Sequence, residues 1–266
     1  MNTVQTRMFR TLVHTVGRLS DGVRLACDHG LTAGRTLDYV YRNEPAGIGP
    51  LGRLLDRVYL SNRAWRAVRI RRRQLESFLR PAIRDRLDAD GEAFILDVAA
   101  GPAGYLREVL AGLDRRRVEA ICWDIDDRIL LEGQTRACEA GLSNVLYDSG
   151  DALDPACFSL LPWAPNVVIS SGLYDWMPDD EDVRESMRLI HDALRPGGRF
   201  LFTVQSGHRE LTTANGLFPH FDGEPLRMKN RPAPLVHAWA KRAGFTIART
   251  ASDHWGYYTV TAAVRP

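Results

Sequence analysis

From residue 93 to the end of the chain, short apolar runs alternate with segments of helical period. Phe94–Val98, Val118–Trp123, Asn144–Tyr147, Asn166–Ser170 and Arg199–Val204 have the length and composition of buried strands. Between them, Gly104–Leu113, Asp127–Ala140 and Glu181–Leu194 carry apolar residues at helical spacing. This alternation predicts a parallel sheet with right-handed crossovers. The end of the chain departs from it. After a predicted helix at Pro234–Ala243, the runs Phe245–Ala251 and Tyr257–Val264 are separated only by Ser252–Gly256. A parallel crossover needs far more chain, so these two runs are expected to form an antiparallel hairpin. The predicted fold class is α/β, a Rossmann-like, seven-stranded, mostly parallel sheet with one antiparallel strand.

Residues 1–92 have helical signals and little strand character. Thr11–Val16 and Leu54–Leu60 show helical spacing, and Trp65–Leu79 reads as a longer helix ending near Pro81. Asn43–Pro50 is rich in helix breakers and is expected to be a loop. The chain is therefore divided into an N-terminal helical cap over 1–92 and an α/β domain over 93–266.

Composition adds limits. The 266 residues are 45% apolar and 26% charged, as in an ordinary globular protein, and a net charge of +2 names no partner. Residues 1–92 hold seventeen Arg against ten acids, most densely at Arg66, Arg69, Arg71, Arg72 and Arg73. That run reads as a solvated helix face, or as a weak contact with an anionic surface. No nucleic-acid partner is expected. Cys27, Cys122, Cys138 and Cys157 are widely spaced, so neither a metal site nor a disulfide is expected. No apolar stretch reaches membrane-spanning length, and Met1–Arg18 lacks a signal-peptide core; a cytoplasmic location is expected.

The chemistry gathers after the predicted strands. In Phe94–Tyr105 an apolar strand ends in Asp97 and passes through Ala99-Ala100-Gly101-Pro102-Ala103-Gly104 into a helix. Glycines permit a sharp turn and a close ligand approach, or simply a tight structural turn. A pyrophosphate-binding turn would be repelled by a carboxylate beside it. The same carboxylate suits a ligand that carries an ammonium and a sulfonium, which favours S-adenosylmethionine (SAM) over NAD. Asp124, at the end of the second strand, is suited to the two ribose hydroxyls of either. Asp127 is expected to cap the next helix. After the third strand, Asp151 is suited to an adenine amino group and Ala152 leaves room for the ring; a turn or cap explains them equally. Leu194–Phe200 is good turn chemistry between helix and strand.

In this order, these segments resemble the class I SAM-dependent methyltransferases over residues 93–205. The resemblance implies that Asp97, Gly101 and Gly104 cradle the methionine part, that Asp124 holds the ribose, and that Asp151 with Ala152 faces adenine. Ala100–Gly104 departs from the family's usual pair of glycines one residue apart. Longer stretches, Arg35–Asn43, Gly172–Tyr174 and Asp253–Val260, resemble a bacterial methyltransferase family sometimes fused to an α/β-hydrolase domain.

The expected function is in-line methyl transfer to a small molecule. Candidate catalytic groups lie beyond the later strands: Tyr174, Asp175 and His208, with Trp176, Glu210 and His254 nearby. An aromatic face offered to the sulfonium by Tyr174 and Trp176 is worth roughly 1–2 kcal/mol; that one of them packs in the core is the equal alternative. Asp175 is read as a base or an amine-orienting group, or as a helix cap. Tyr39, Tyr41, Arg42 and Asn43 are suited to a lid. Three other readings stand. SAM's own amine could attack its γ-carbon to give azetidine-2-carboxylate and methylthioadenosine. The fold could serve as a non-catalytic module docking on anionic surfaces through Arg66–Arg73. An NAD oxidoreductase is disfavoured by Asp97.

Overall fold

The computed structural model describes residues 11–31, 33–207 and 228–266. The chain forms two compact units, Met1–Arg69 with His208–Arg227, and Ile70–Gly207 with Met228–Pro266. The division falls inside a helix rather than at residue 92.

In the first unit a 3₁₀ turn, Val16–Leu19, precedes α1 (Asp21–His29), α2 (Gly34–Arg42) and α3 (Gly49–Ser61); the start of α4 (Arg63–Asp90) completes it. Asn43 closes α2 in the left-handed conformation that asparagine tolerates, and the expected loop runs on to α3. One carboxylate holds these pieces together. Asp56 of α3 has no exposed surface. Its Oδ1 accepts from Ser20 Oγ at 2.6 Å and from the Gly22 amide at 2.8 Å. Its Oδ2 accepts from the Ala46 amide at 2.9 Å and from the Tyr39 hydroxyl. Four donors offset the desolvation of a buried charge. Ser20 also caps α1, its Oγ accepting from the Val23 amide at 3.1 Å. Gly22 allows this approach, since a Cβ there would lie 2.5 Å from the Tyr59 ring.

The second unit is built on a seven-stranded sheet in the order β3-β2-β1-β4-β5-β7-β6. The strands are β1 (Ala93–Val98), β2 (Val118–Asp124), β3 (Val145–Ser149), β4 (Val167–Ser170), β5 (Arg199–Gln205), β6 (Thr246–Ser252) and β7 (Tyr258–Val264). β1 to β5 pair in parallel, and β7 runs antiparallel to both β5 and β6. The helices are α5 (Gly104–Leu110), α6 (Asp127–Glu139), α7 (Pro155–Ser159), α8 (Leu173–Trp176), α9 (Asp180–Ala193) and α10 (Ala233–Arg242). Ile95, Ala120, Cys122, Ile169 and Leu201 pack on one face with Leu75, Leu79 and Ile83 of α4 and with Leu106 and Val109 of α5. Leu96, Trp123, Phe200 and Phe202 pack on the other with Met187 and Ile190 of α9 and with Val236 of α10.

The central helix corrects one expectation. α4 continues through Pro81 instead of ending near it. Proline costs the bond to the Ser77 carbonyl. Both residues are on the exposed side, where water replaces that bond, while Leu79, Ala82 and Ile83 remain buried against the sheet. This packing also explains why residues 70–90 belong with the sheet. Asp126, not Asp127, caps α6, its side chain accepting from the Arg128 amide. The arginine run is not a continuous solvated face. Arg69 donates to the carbonyls of Val40 and Leu60, Arg71 lies over the Tyr258 ring, and Arg72 pairs with Glu76 and Glu108. Among the described residues no helix is long and apolar enough to cross a membrane.

Asp56→Ala leaves four donors without their acceptor, and we expect it to cost at least about 3 kcal/mol. Hydrogen exchange should show lost protection in α1, α2 and α3. Undiminished protection there would remove Asp56 from its role as the tie.

Candidate active site at the carboxyl ends of the strands

The sheet order reverses between β1 and β4, and open α/β sheets bind ligands outside the carboxyl ends of the strands at such a switch point. Asp97 borders it, in register with Cys122 of β2 and Ile169 of β4. Its side chain is fully buried. Oδ2 accepts from the Tyr105 hydroxyl at 2.5 Å, and Oδ1 has no partner. Burial raises the Asp97 pKa to about 7; the Tyr105 hydroxyl opposes that shift, and the Asp124 charge adds to it.

The chain leaves β1 through an unusual turn. Ala99, Gly101 and Ala103 all have left-handed backbones, with φ of 54°, 57° and 47°. For alanine this costs roughly 1–2 kcal/mol, a strain that clusters at functional sites. Ala103 is the residue before α5, so it performs in left-handed form what a glycine does more cheaply. Gly104 opens α5. The turn is pinned from β2. Asp124 Oδ2 accepts from the Gly101 amide at 3.0 Å, and Oδ1 accepts from the Asp126 amide at 3.1 Å. Burial pushes the Asp124 pKa up, while the Asp126 and Gly101 amides pull it down. Two sequence signals, the glycine turn and the second acid, are thus one hydrogen-bonded unit.

After β3, Asp151 is exposed and its Oδ1 accepts from the Leu153 amide at 2.8 Å. Ala152 is buried in the same apolar cluster as Trp123. After β4, Tyr174 is 1% exposed and packs edge-on against Phe202, 6.3 Å between ring centres. Its ring belongs to the core. Asp175 is also buried; Oδ1 accepts from the Gln205 amide at 2.9 Å, and Oδ2 has no partner. Burial raises the Asp175 pKa to about 6, opposed by Arg71, the Gln205 amide and Arg231. Asp179, not Asp175, caps α9. His208 and Glu210 lie outside the described residues. His254 is exposed in the hairpin turn, which Asp253 ties by accepting from the Trp255 and Tyr258 amides at 2.8 and 2.6 Å.

The structure brings together Asp97, Gly101 and Asp124, and separately joins Asp175 to β5. Three participants carried no local signal in the sequence. Tyr105 follows Asp97 by eight residues and reaches it only because α5 folds back over β1. Gln205 ends β5. Arg231 is 3% exposed and holds the segment after β4 through the carbonyls of Tyr174 at 2.5 Å and Met177 at 2.7 Å, and through Asp180 at 2.8 Å.

Residues 1–265 match a family described as "Putative methyltransferase". The chain is 34% identical over 262 residues to the uncharacterized protein YnbC of Escherichia coli K12, covering 97% of this chain and 44% of that one. It thus spans under half the length of that relative. A solved structure from Bordetella parapertussis, described as a possible exported protein, is similar with a TM-score of 0.69 at 18% identity, covering 98% of this chain and 94% of that one. The magnesium protoporphyrin IX methyltransferase of Synechocystis PCC 6803, solved with bound S-adenosylhomocysteine (SAH), is similar with a TM-score of 0.57 at 17% identity, covering 90% and 98%. At these identities the structural likenesses establish the fold.

The raised Asp97 pKa makes stability depend on pH. Asp97 holds its proton in the folded state up to about pH 7, whereas an unfolded aspartate loses it near 4. Between those values the folded state binds more protons, so stability falls as pH rises. Asp97→Asn should flatten that decline and stabilise the protein more at pH 8 than at pH 5. Parallel pH profiles of wild type and variant in urea unfolding would contradict this.

Proposed function

The chain belongs to the methyltransferase family that it matches over residues 1–265, and from that premise we propose that it transfers the methyl group of SAM to a small molecule. The observation that carries the donor reading is Asp97. A fully buried carboxylate with an unpartnered oxygen stands beside the glycine turn, with a second carboxylate close enough to raise its pKa. Among the described residues this carboxylate has no cationic partner, and an amino-acid ammonium supplies one. A dinucleotide pyrophosphate would meet the Asp124 carboxylate there and, above about pH 7, a second negative charge on Asp97.

The residues fit SAM part by part. Asp97 receives the ammonium, and the Gly101 turn leaves the backbone open: a Cβ added at Gly101 would meet nothing within 4 Å. Asp124 accepts ribose hydroxyls while its present bonds keep the turn in place. Asp151 and Ala152 serve the adenine. Bound SAM supplies an electrophilic methyl group on a sulfonium. The chain's own contribution is alignment of the reacting groups, and a base only where the nucleophile arrives protonated. Asp175, with its unpartnered oxygen and a pKa that burial raises to about 6, is the candidate for that proton. The burial of Tyr174 supports a packing role for its ring.

Asp124→Ala should weaken SAM binding at least about tenfold, a loss of roughly 1.4 kcal/mol, while circular dichroism stays unchanged; calorimetry reads the difference. Mass spectrometry of products after exposure to SAM tests the reaction. SAH formed only in the presence of an acceptor is expected. Methylthioadenosine formed from SAM alone would replace methyl transfer with cyclisation.

A further inference from the structure

Several buried polar atoms without a partner sit at the carboxyl ends of three neighbouring strands. They include Asp97 Oδ1 on β1, Ser170 Oγ at the end of β4, Asp175 Oδ2 just after β4, and both Oε1 and Nε2 of Gln205 at the end of β5. Gln205 is the extreme case. It has no exposed surface, yet neither end of its amide is paired. Leaving such a group buried and unsatisfied is costly. The preceding residues Phe202, Thr203 and Val204 show that this strand accepts apolar and branched side chains. Register pairs Gln205 with Tyr258, over whose ring Arg71 lies 4.8 Å from the centroid. The carboxyl group of Asp175 is bonded to the Gln205 backbone. Strands in a sheet are spaced about 4.8 Å apart, so β5 lies roughly 10 Å from Asp97 along the sheet edge.

We propose that Gln205, together with Asp175, is the recognition element for the methyl acceptor, and that the acceptor presents a planar N–H/C=O edge, as carboxamides and lactams do. The proposal rests on the methyl-transfer reading above. A glutamine amide has one acceptor and two donors. Nε2 donates to the acceptor's carbonyl, and Oε1 accepts from its N–H. Two hydrogen bonds in one plane fix orientation, and Asp175 Oδ2 takes a further donor of the same molecule. A site built this way rejects analogues that lack the N–H, because its own buried groups are then left unpaired.

The test is thermal unfolding of the full chain with SAH and with 2-pyridone, a minimal lactam, or N-methyl-2-pyridone, which lacks the N–H. With SAH present, 2-pyridone should raise the wild-type Tm and the N-methyl compound should not. Gln205→Met should abolish that response and, by removing two unsatisfied polar groups, raise the ligand-free Tm by about 2–4 °C. Gln205→Glu should bind the lactam at least about tenfold more weakly than wild type. Equal lactam responses in wild type and Gln205→Met, no wild-type response to 2-pyridone, or a several-degree fall in the Tm of Gln205→Met would each overturn the proposal. Retained SAH binding in those cases leaves the donor site standing. Absence of any SAH response in wild type would instead overturn the methyl-transfer reading itself.

Discussion

The candidate site depends on one buried carboxylate with no cationic partner among the described residues. Asp97 is sealed at the end of β1, bonded to Tyr105 on one oxygen and to nothing on the other, with Asp124 close enough to push its pKa up. Folding tolerates this arrangement at a cost in stability, and on the proposed reading a positively charged ligand would relieve it, so that charge would select the class of ligand before shape does. On this reading an ammonium would be attracted and a pyrophosphate repelled, although dinucleotide folds place their ligand at the same reversal of strand order and beside a similar glycine turn.

The surrounding structure keeps that carboxylate in place. Asp124 ties the strained turn to β2 through the Gly101 amide, so the residue suited to the ribose also shapes the cradle. On the other side of the switch point, Arg231 secures the segment after β4 by its backbone carbonyls, and Asp175 bonds to β5. The two sides of the switch point are thus held by different strands, each through backbone amides. In the first unit Asp56 does comparable work with the opposite outcome. Four donors satisfy it fully, and it ties helices together rather than waiting for a ligand.

Much of this was legible in the sequence because it is periodic. The five parallel strands, the hairpin of β6 and β7 and the acids ending β1 and β2 follow from apolar runs and their terminators, and the boundaries differ by only a few residues. What could not be read depends on contacts between distant residues. Pro81 suggested a helix end because local chemistry cannot see that its exposed face leaves the opposite face free to pack on the sheet. The arginine run looked like a surface because its partners, Val40, Glu108 and Tyr258, lie far away in sequence. Tyr105, Gln205 and Arg231 have no signature of their own; their importance comes from which polar atoms the fold places beside them or leaves alone.

The electrostatic claim is tested most directly by titrating the purified protein with SAM and with NAD side by side in a calorimeter at neutral pH. A cation-seeking pocket predicts saturable binding of SAM and none of NAD. Saturable uptake of NAD with no heat from SAM would contradict the account at its root.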